Sequence, residues 1–176
     1  MSKVTVEEAS LGRLALVAQG NGNASVAYNI SVAVAVRNPN WAMRVWRTGP
    51  LDAELRLAGQ PFALVRLASG DEPDRFQPLR SKVYRVAAAA AKSSPVAIGS
   101  DAAAAFARES VVGIFSLELI VDGEFWYEAH SGSLSITRKC SLRLPLSTAP
   151  TAAAFARFER TLPLLCTDDV SNKTNW

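Results

Sequence analysis

Val26, Tyr28, Ile30, Val32, Val34 and Val36 alternate with Ala27, Asn29, Ser31, Ala33, Ala35 and Arg37 without a break. Side chains of an extended chain point to opposite faces in turn. This period of two therefore predicts a long strand, Val26 to Arg37, that buries a column of mainly β-branched residues and turns small or polar ones outward. The strand is expected to stop at the turn Asn38-Pro39-Asn40. A second strand of the same kind is predicted where Leu134, Ile136, Arg138, Cys140, Leu142, Leu144 and Leu146 alternate with serines, Thr137, Lys139 and Arg143. Arg138 is the odd residue on its inward face, expected at a sheet edge or with its charged end snorkelling to water.

Between these two strands, Leu51–Leu57 and Pro61–Leu67 read as a hairpin closed near Gly59, and Ser81–Ala89 reads as a further strand with Tyr84 and Val86 inward. Ile114–Val121 is predicted to turn back on Glu124–Tyr127 through Asp122-Gly123, because Asp-Gly suits a tight turn that needs positive φ at both central residues. Two alanine-rich pieces break the strand pattern. They are Asp101–Glu109, with Asp101 as its expected cap, and Thr151–Phe158, capped by Thr151 and expected to pack as a C-terminal lid through Phe155 and Phe158. Seven or eight strands with one or two short helices describe an all-β, antiparallel sandwich.

Composition adds limits to this picture. A chain of 176 residues fits a single domain, and roughly 70% of its extended surface can be buried at that length. The 19 basic and 16 acidic side chains are dispersed, giving a net charge of +3. Nucleic-acid binding calls for a basic stripe interleaved with aromatics, and the densest basic spot, Arg138-Lys139 with Arg143, is instead read as a solvated face. Cys140 and Cys166 allow one disulfide; a buried free thiol at Cys140, in phase with Leu142 and Leu144, is the alternative. No run approaches the roughly 20 apolar residues of a membrane helix, and Met1-Ser2-Lys3 carries no signal-peptide core, so the chain as written reads as soluble.

Catalytic chemistry finds little to work with. Nucleophilic hydrolysis needs a nucleophile, a base and a group that orients the base. His130 is the sole histidine, placed in an expected turn, and neither cysteine is set beside it. Asp71-Glu72-Pro73-Asp74 is a polar loop whose carboxylates lack the alternating spacing of a calcium loop. No catalytic residue, metal ligand or cofactor site is assigned. Three acceptor triplets for N-glycosylation begin at Asn23, Asn29 and Asn172, the first two at or beside the outward face of the long strand.

Several segments in a fixed order carry a family resemblance. Tyr28-Asn29-Ile30-Ser31-Val32 runs on to Val36-Arg37-Asn38-Pro39-Asn40. Leu51-Asp52-Ala53-Glu54-Leu55, Gly59-Gln60 and Phe76-Gln77-Pro78 follow, and Arg138-Lys139-Cys140 with Leu142-Arg143-Leu144-Pro145-Leu146 ends the series. Together they resemble the late-embryogenesis-abundant group-two (LEA type 2) domain, and more narrowly its harpin-induced, non-race-specific-disease-resistance branch in plants. The resemblance covers residues 4–147 and leaves 148–176 as an extension, partly helical and then frayed.

That resemblance implies an immunoglobulin- or fibronectin-III-like sandwich and no catalysis. It also implies a defence or abiotic-stress role at the plasma membrane, on the extracellular face where an upstream anchor exists, through an unknown protein partner. Members usually carry a membrane helix ahead of the domain. This chain departs from the family pattern after the Asn-Pro-Asn turn, where Val45-Trp46-Arg47 replaces an aromatic pair and aspartate. Trp41, Val45 and Trp46 are accordingly the expected docking patch. Two alternatives remain: a lipid slot between the long strand and Leu134–Leu146, given room by Ala87 and Ala88, or a soluble stress protectant.

Overall fold

The computed structural model describes residues 1–18, 24–91, 95–146 and 164–168. It is an antiparallel all-β sandwich of two sheets with one helix. The first sheet contains β1 (Lys3–Ala18), β2 (Ala24–Arg37), β6 (Ser81–Ala90), β7 (Val96–Ile98) and β10 (Leu164–Leu165). The second contains β3 (Val45–Leu57), β4 (Gln60–Ala68), β5 (Arg75–Phe76), β8 (Ile114–Tyr127), β9 (Ser133–Pro145) and β11 (Thr167–Asp168). The order across the first sheet is β10-β1-β2-β6, with β7 also on β2. Across the second it is β11-β9-β8-β3-β4, with β5 also on β3. Seven of these strands are long, and four short pieces are added to them.

The long alternating strand is β2, and its inward column is buried throughout. Its other face departs from expectation, because Ala27, Ser31, Ala33 and Ala35 are buried as well. The cause is its central place. At Ala33 the flanking residues are Glu8 on β1 and Arg85 on β6, and these two form an ion pair 2.8 Å long over the alanine. Small side chains on β2 thus lie beneath longer ones from both neighbours.

The expected hairpin at Gly59 is present. Ala58 and Gly59 both take positive φ, 49° and 78°, and join β3 to β4 as a two-residue turn of the kind that matches strand twist. The hairpin expected at Asp122-Gly123 is absent, because β8 runs straight through it. Asp122 lies between Asp52 and Thr137, and Gly123 between Leu51 and Ile136. Gly123 answers to packing: a Cβ there would stand 2.7 Å from Leu51 Cδ1 and 2.9 Å from Phe125 Cε2. A glycine can signal close approach as well as a turn.

The helix α1 (Ser100–Val112) crosses from β7 in the first sheet to β8 in the second. Its cap is Gly99, not Asp101, which lies in the first turn and makes no capping bond. The Gly99 N–H donates to Gln60 Oε1. Gly113 ends the helix in the left-handed conformation, its N–H donating to Glu109 O at 2.8 Å. Buried Ala102 and Ala105 face the sandwich, and Phe106 stacks on Phe115 at 5.5 Å. The predicted Thr151–Phe158 helix lies outside the described residues.

Residues 164–168, assigned from sequence to an extension, are built into both sheets. Leu164-Leu165 pairs with Val6-Thr5 of β1, and Thr167-Asp168 pairs with Lys139-Arg138 of β9. Cys166, at the crossing, forms a disulfide with Cys140 and donates its N–H to Val4 O at 2.9 Å. The free-thiol alternative at Cys140 is therefore overturned. Arg138 is buried and not solvated, ion-paired with Asp168. It also donates from Nη2 to Ser2 O at 3.4 Å.

Candidate interaction surface at the Trp41 end

The loop that follows β2 is held from within by Asn38. Its side chain is buried and donates from Nδ2 to Met43 O at 2.7 Å, with longer bonds to Phe76 O and Gln77 O. Its Oδ1 accepts the N–H of Asn40 at 3.0 Å, a local turn that asparagine can make with its own backbone. The backbone adds Asn38 N–H to Arg80 O and Leu79 N–H to Asn40 O. Leu79 takes a positive φ of 60° to do so, an uncommon conformation for a branched residue.

On this fixed loop Trp41 is 83% exposed. Tryptophan is highly buried on average, so this exposure is uncommon for its residue type. Five residues on, Trp46 stands directly opposite Trp126 of β8 on one side and Arg75 of β5 on the other. The indole rings meet at 4.6 Å between centroids, tilted 47°, and the Arg75 guanidinium lies 5.9 Å from the Trp46 ring. Cross-strand neighbours at this spacing interact directly, and a cation over an indole face adds to the contact. Half-buried Trp46 and Trp126, with exposed Arg75 beside them, therefore present a preformed aromatic surface. Arg44 borders it, its N–H donating to Glu128 Oε2 at 3.0 Å.

Val45 does not belong to this surface. It is fully buried between Tyr127 and Phe76, because the alternation along β3 sends Val45 and Arg47 inward when Trp46 points out. Trp126 takes its place in the surface. Sequence reading missed Trp126, whose signal is its position in the strand opposite Trp46.

Arg47 is the main polar feature that sequence reading left without a role. It is only 2% exposed, yet every side of its guanidinium is engaged. Nε donates to Asp74 Oδ2 at 3.0 Å, Nη1 to Ser69 O at 2.6 Å and to Gly49 O, and Nη2 to Glu72 O at 2.5 Å. Its backbone N–H donates to Asp74 O. Asp74 also receives Tyr84 Oη at 2.6 Å and Lys82 Nζ, both from β6 of the opposite sheet. Burial pushes the Asp74 carboxyl upward, but hydrogen bonds from Lys82, Tyr84 and Arg47 outweigh it and hold it below its ordinary value. Burial first, then Asp74, raises the Tyr84 phenol well above its usual range. The loop 71–74 is thus clamped by Arg47, with Asp74 turned inward and Asp71 and Glu72 exposed.

The remaining expected sites are scattered. His130 is exposed in the turn after β8, its ring edge-on to Tyr127 at 6.0 Å. Asn29 is half-buried on β2 beside Gly12; Asn23 and Asn172 lie outside the described residues. The cavity described between the sheets is not lined by Leu134–Leu146, where the slot was expected. Ile30, Val32, Val86 and Ala88 face Ala53, Leu55, Val65 and Leu119 around this cavity of about 10 Å³. That is the lower limit for one water. Ala88 lines it, whereas Ala87 faces solvent.

No family model matches the chain, and no curated protein is matched. Among solved structures, a crystal structure of a protein from Archaeoglobus fulgidus is similar at 10% identity. It covers 78% of this chain and 95% of that one, with a TM-score of 0.34. Among the described residues, no helix is long and apolar enough to cross a membrane, and no group of three or more His, Cys, Asp or Glu side chains is placed to hold a metal.

Proposed function

We propose that this chain is a non-enzymatic interaction domain of the LEA type 2 kind. In this reading it acts in plant defence or abiotic stress at a plasma-membrane or extracellular surface, and it engages a protein partner through the Trp41 end of the sandwich. The observation that carries the reading is Trp41, 83% exposed on a loop that Asn38 fixes. An indole carried on a fixed backbone has only two side-chain torsions to order on binding, and tryptophan is enriched among residues that dominate interface energies. The adjoining Trp46–Trp126 pair widens the apolar area, and Arg75 and Arg44 supply a cationic rim suited to an acidic or aromatic partner surface.

The sandwich architecture accords with the resemblance, and so does the disulfide with an oxidising compartment. Asp74, held below its ordinary value, bonds to both Arg47 and Tyr84, which supports a structural role for these groups. The lipid-slot alternative is disfavoured by the cavity of about 10 Å³, far below the several hundred Å³ of ordinary ligand pockets. The protectant alternative leaves the exposed tryptophan without a role.

The test is capture of surface proteins by the wild-type domain and by Trp41→Ser and Trp41→Ser/Trp126→Ser variants whose melting curves show a folded state. The reading expects a discrete set of partners retained by the wild type and lost from both variants. An identical set from all three proteins overturns it.

A further inference from the structure

Strand pairing gathers at the Trp41 end cations that lie far apart in the sequence. Lys3 of β1 and Arg37 of β2 stand directly opposite each other in the ladder. Their neighbours Val4 and Val36 are buried, so both cations point outward from the first sheet. Asn38, next after Arg37, donates its N–H to Arg80 O and so brings Arg80 alongside. The Ser2 N–H donates to Tyr127 Oη at 2.7 Å, which ties the start of β1 to the same end of β8. Lys3, Arg37 and Arg80 are all exposed. Among the described residues none of the three makes an ion pair or a side-chain hydrogen bond, whereas Lys82 and Arg47 share Asp74 and Arg44 reaches Glu128. The carboxylates that follow Lys3 on β1 are engaged elsewhere, Glu7 by Thr5 and Glu8 by Arg85. Like charges that face each other across a ladder weaken it, so strand pairing gives no reason for Lys3 opposite Arg37. Leu79 links this cluster to the indole: it is 51% exposed, precedes Arg80, and donates its N–H to Asn40 O beside Trp41.

We propose that the partner engaged at the Trp41 end presents an extended acidic segment, whose carboxylates lie on Lys3, Arg37 and Arg80 while an adjoining apolar side chain meets Trp41 and Leu79. This rests on the Trp41 reading and adds the chemistry of the occupant. Charge complementarity argues for it. Each of the two guanidinium groups can take a carboxylate through a pair of parallel N–H···O bonds, and the Lys3 ammonium adds a single charged contact. A carboxylate between Lys3 and Arg37 also relieves their repulsion, so binding removes a strain that the free domain carries. Recognition of acidic motifs by clustered arginines follows the same physics. Shape favours a polypeptide over a lipid surface. Lys3 and Arg37 face outward from the first sheet, and Trp41 stands on the loop beyond the end of β2. An extended segment can turn from one to the other, whereas a flat bilayer meets one of them.

The test is fluorescence anisotropy of the full chain with a labelled peptide of alternating Glu and Phe residues and with its Gln–Phe counterpart. Co-sedimentation with vesicles of phosphatidylcholine and phosphatidylserine in equal parts runs beside it. Wild type should bind the Glu–Phe peptide and leave Gln–Phe unbound. Binding should weaken as salt shortens the screening length from about 8 Å at physiological strength to about 3 Å near 1 M. Arg37→Gln/Arg80→Gln should weaken it about tenfold, as the loss of two exposed ion pairs does, with an unchanged melting curve. Arg108→Gln/Arg143→Gln removes the same charge from exposed positions at the α1 end and should leave binding as it was. Equal binding of the two peptides, or binding untouched by Arg37→Gln/Arg80→Gln, overturns the acidic segment and leaves the Trp41 reading standing. Binding lost from that variant but kept in full by Trp41→Ser overturns the Trp41 reading itself. A wild type that binds neither peptide, or that binds the vesicles and not the Glu–Phe peptide, overturns the proposal.

Discussion

Replacing Arg47 with methionine tests the clamp that organises the loop below the Trp41 end. Methionine retains most of the side-chain length but none of the donors, so Gly49 O, Ser69 O and Glu72 O lose their partner and Asp74 loses one of its three. Breaking a buried ion pair by removing one member costs about 3–5 kcal/mol. Lys82 and Tyr84 remain on Asp74, and the loop carbonyls of 69–72 can turn to water. The expected loss is therefore the lower end, about 3 kcal/mol. For a chain of this size each kcal/mol lowers Tm by roughly 2–4 °C, so the fall is about 6–12 °C. Urea unfolding followed by far-UV circular dichroism measures it directly.

The same clamp sets an acid dependence. Because the folded state holds the Asp74 carboxyl below its unfolded value, its contribution is fully present above about pH 4 and is lost as pH falls through the folded value. Asp74→Asn should accordingly be less stable at neutral pH and lose less on acidification. A loss below about 1 kcal/mol for Arg47→Met would put this pair with exposed surface ion pairs and refute the reasoning.

Two further substitutions probe the frame. Cys140→Ser/Cys166→Ser opens a cross-link between residues 26 apart in sequence and should cost about 2–4 kcal/mol. Hydrogen exchange should rise first in 164–168 and along β1, and uniform exchange across the domain would contradict the bridging role. Gly123→Ala should cost about 1–3 kcal/mol by crowding Leu51 and Phe125. Combining it with Leu51→Ala should cost less than the sum of the two, whereas strict additivity would deny the contact.

Much of the fold was legible because its central strands obey a simple period. β2 and β9 alternate cleanly, and the β3–β4 turn carries a glycine where positive φ is needed. β1 was not legible: its pairing with β2 shifts between Val6 and Glu8 and again between Leu11 and Arg13. Each bulge moves the inward phase by one residue, so Val4, Val6, Ala9, Leu11 and Leu14 share the core without a common period. Asp122-Gly123 misled because local turn preference competes with long-range pairing, and here β3 and β9 hold the chain straight from both sides.

The surface was legible only in part. Trp41 and Trp46 were identified by departure from a family pattern, yet sequence order alone set Val45 beside them and not Trp126. Strand pairing decides which side chains share a face. Arg47 was hidden for a related reason. A charged residue in a strand reads as solvent-facing until the chain beyond it folds back to supply carbonyls, as Ser69 and Glu72 do.

The central claim, that partners dock at the Trp41 end, is tested most directly by hydroxyl-radical footprinting of the domain alone and in complex with a captured partner. Binding should strongly protect Trp41 and the Trp46–Trp126 pair, with the exposed α1 residues Val111 and Val112 unchanged. Protection at α1 with Trp41 still fully reactive in the complex would contradict it.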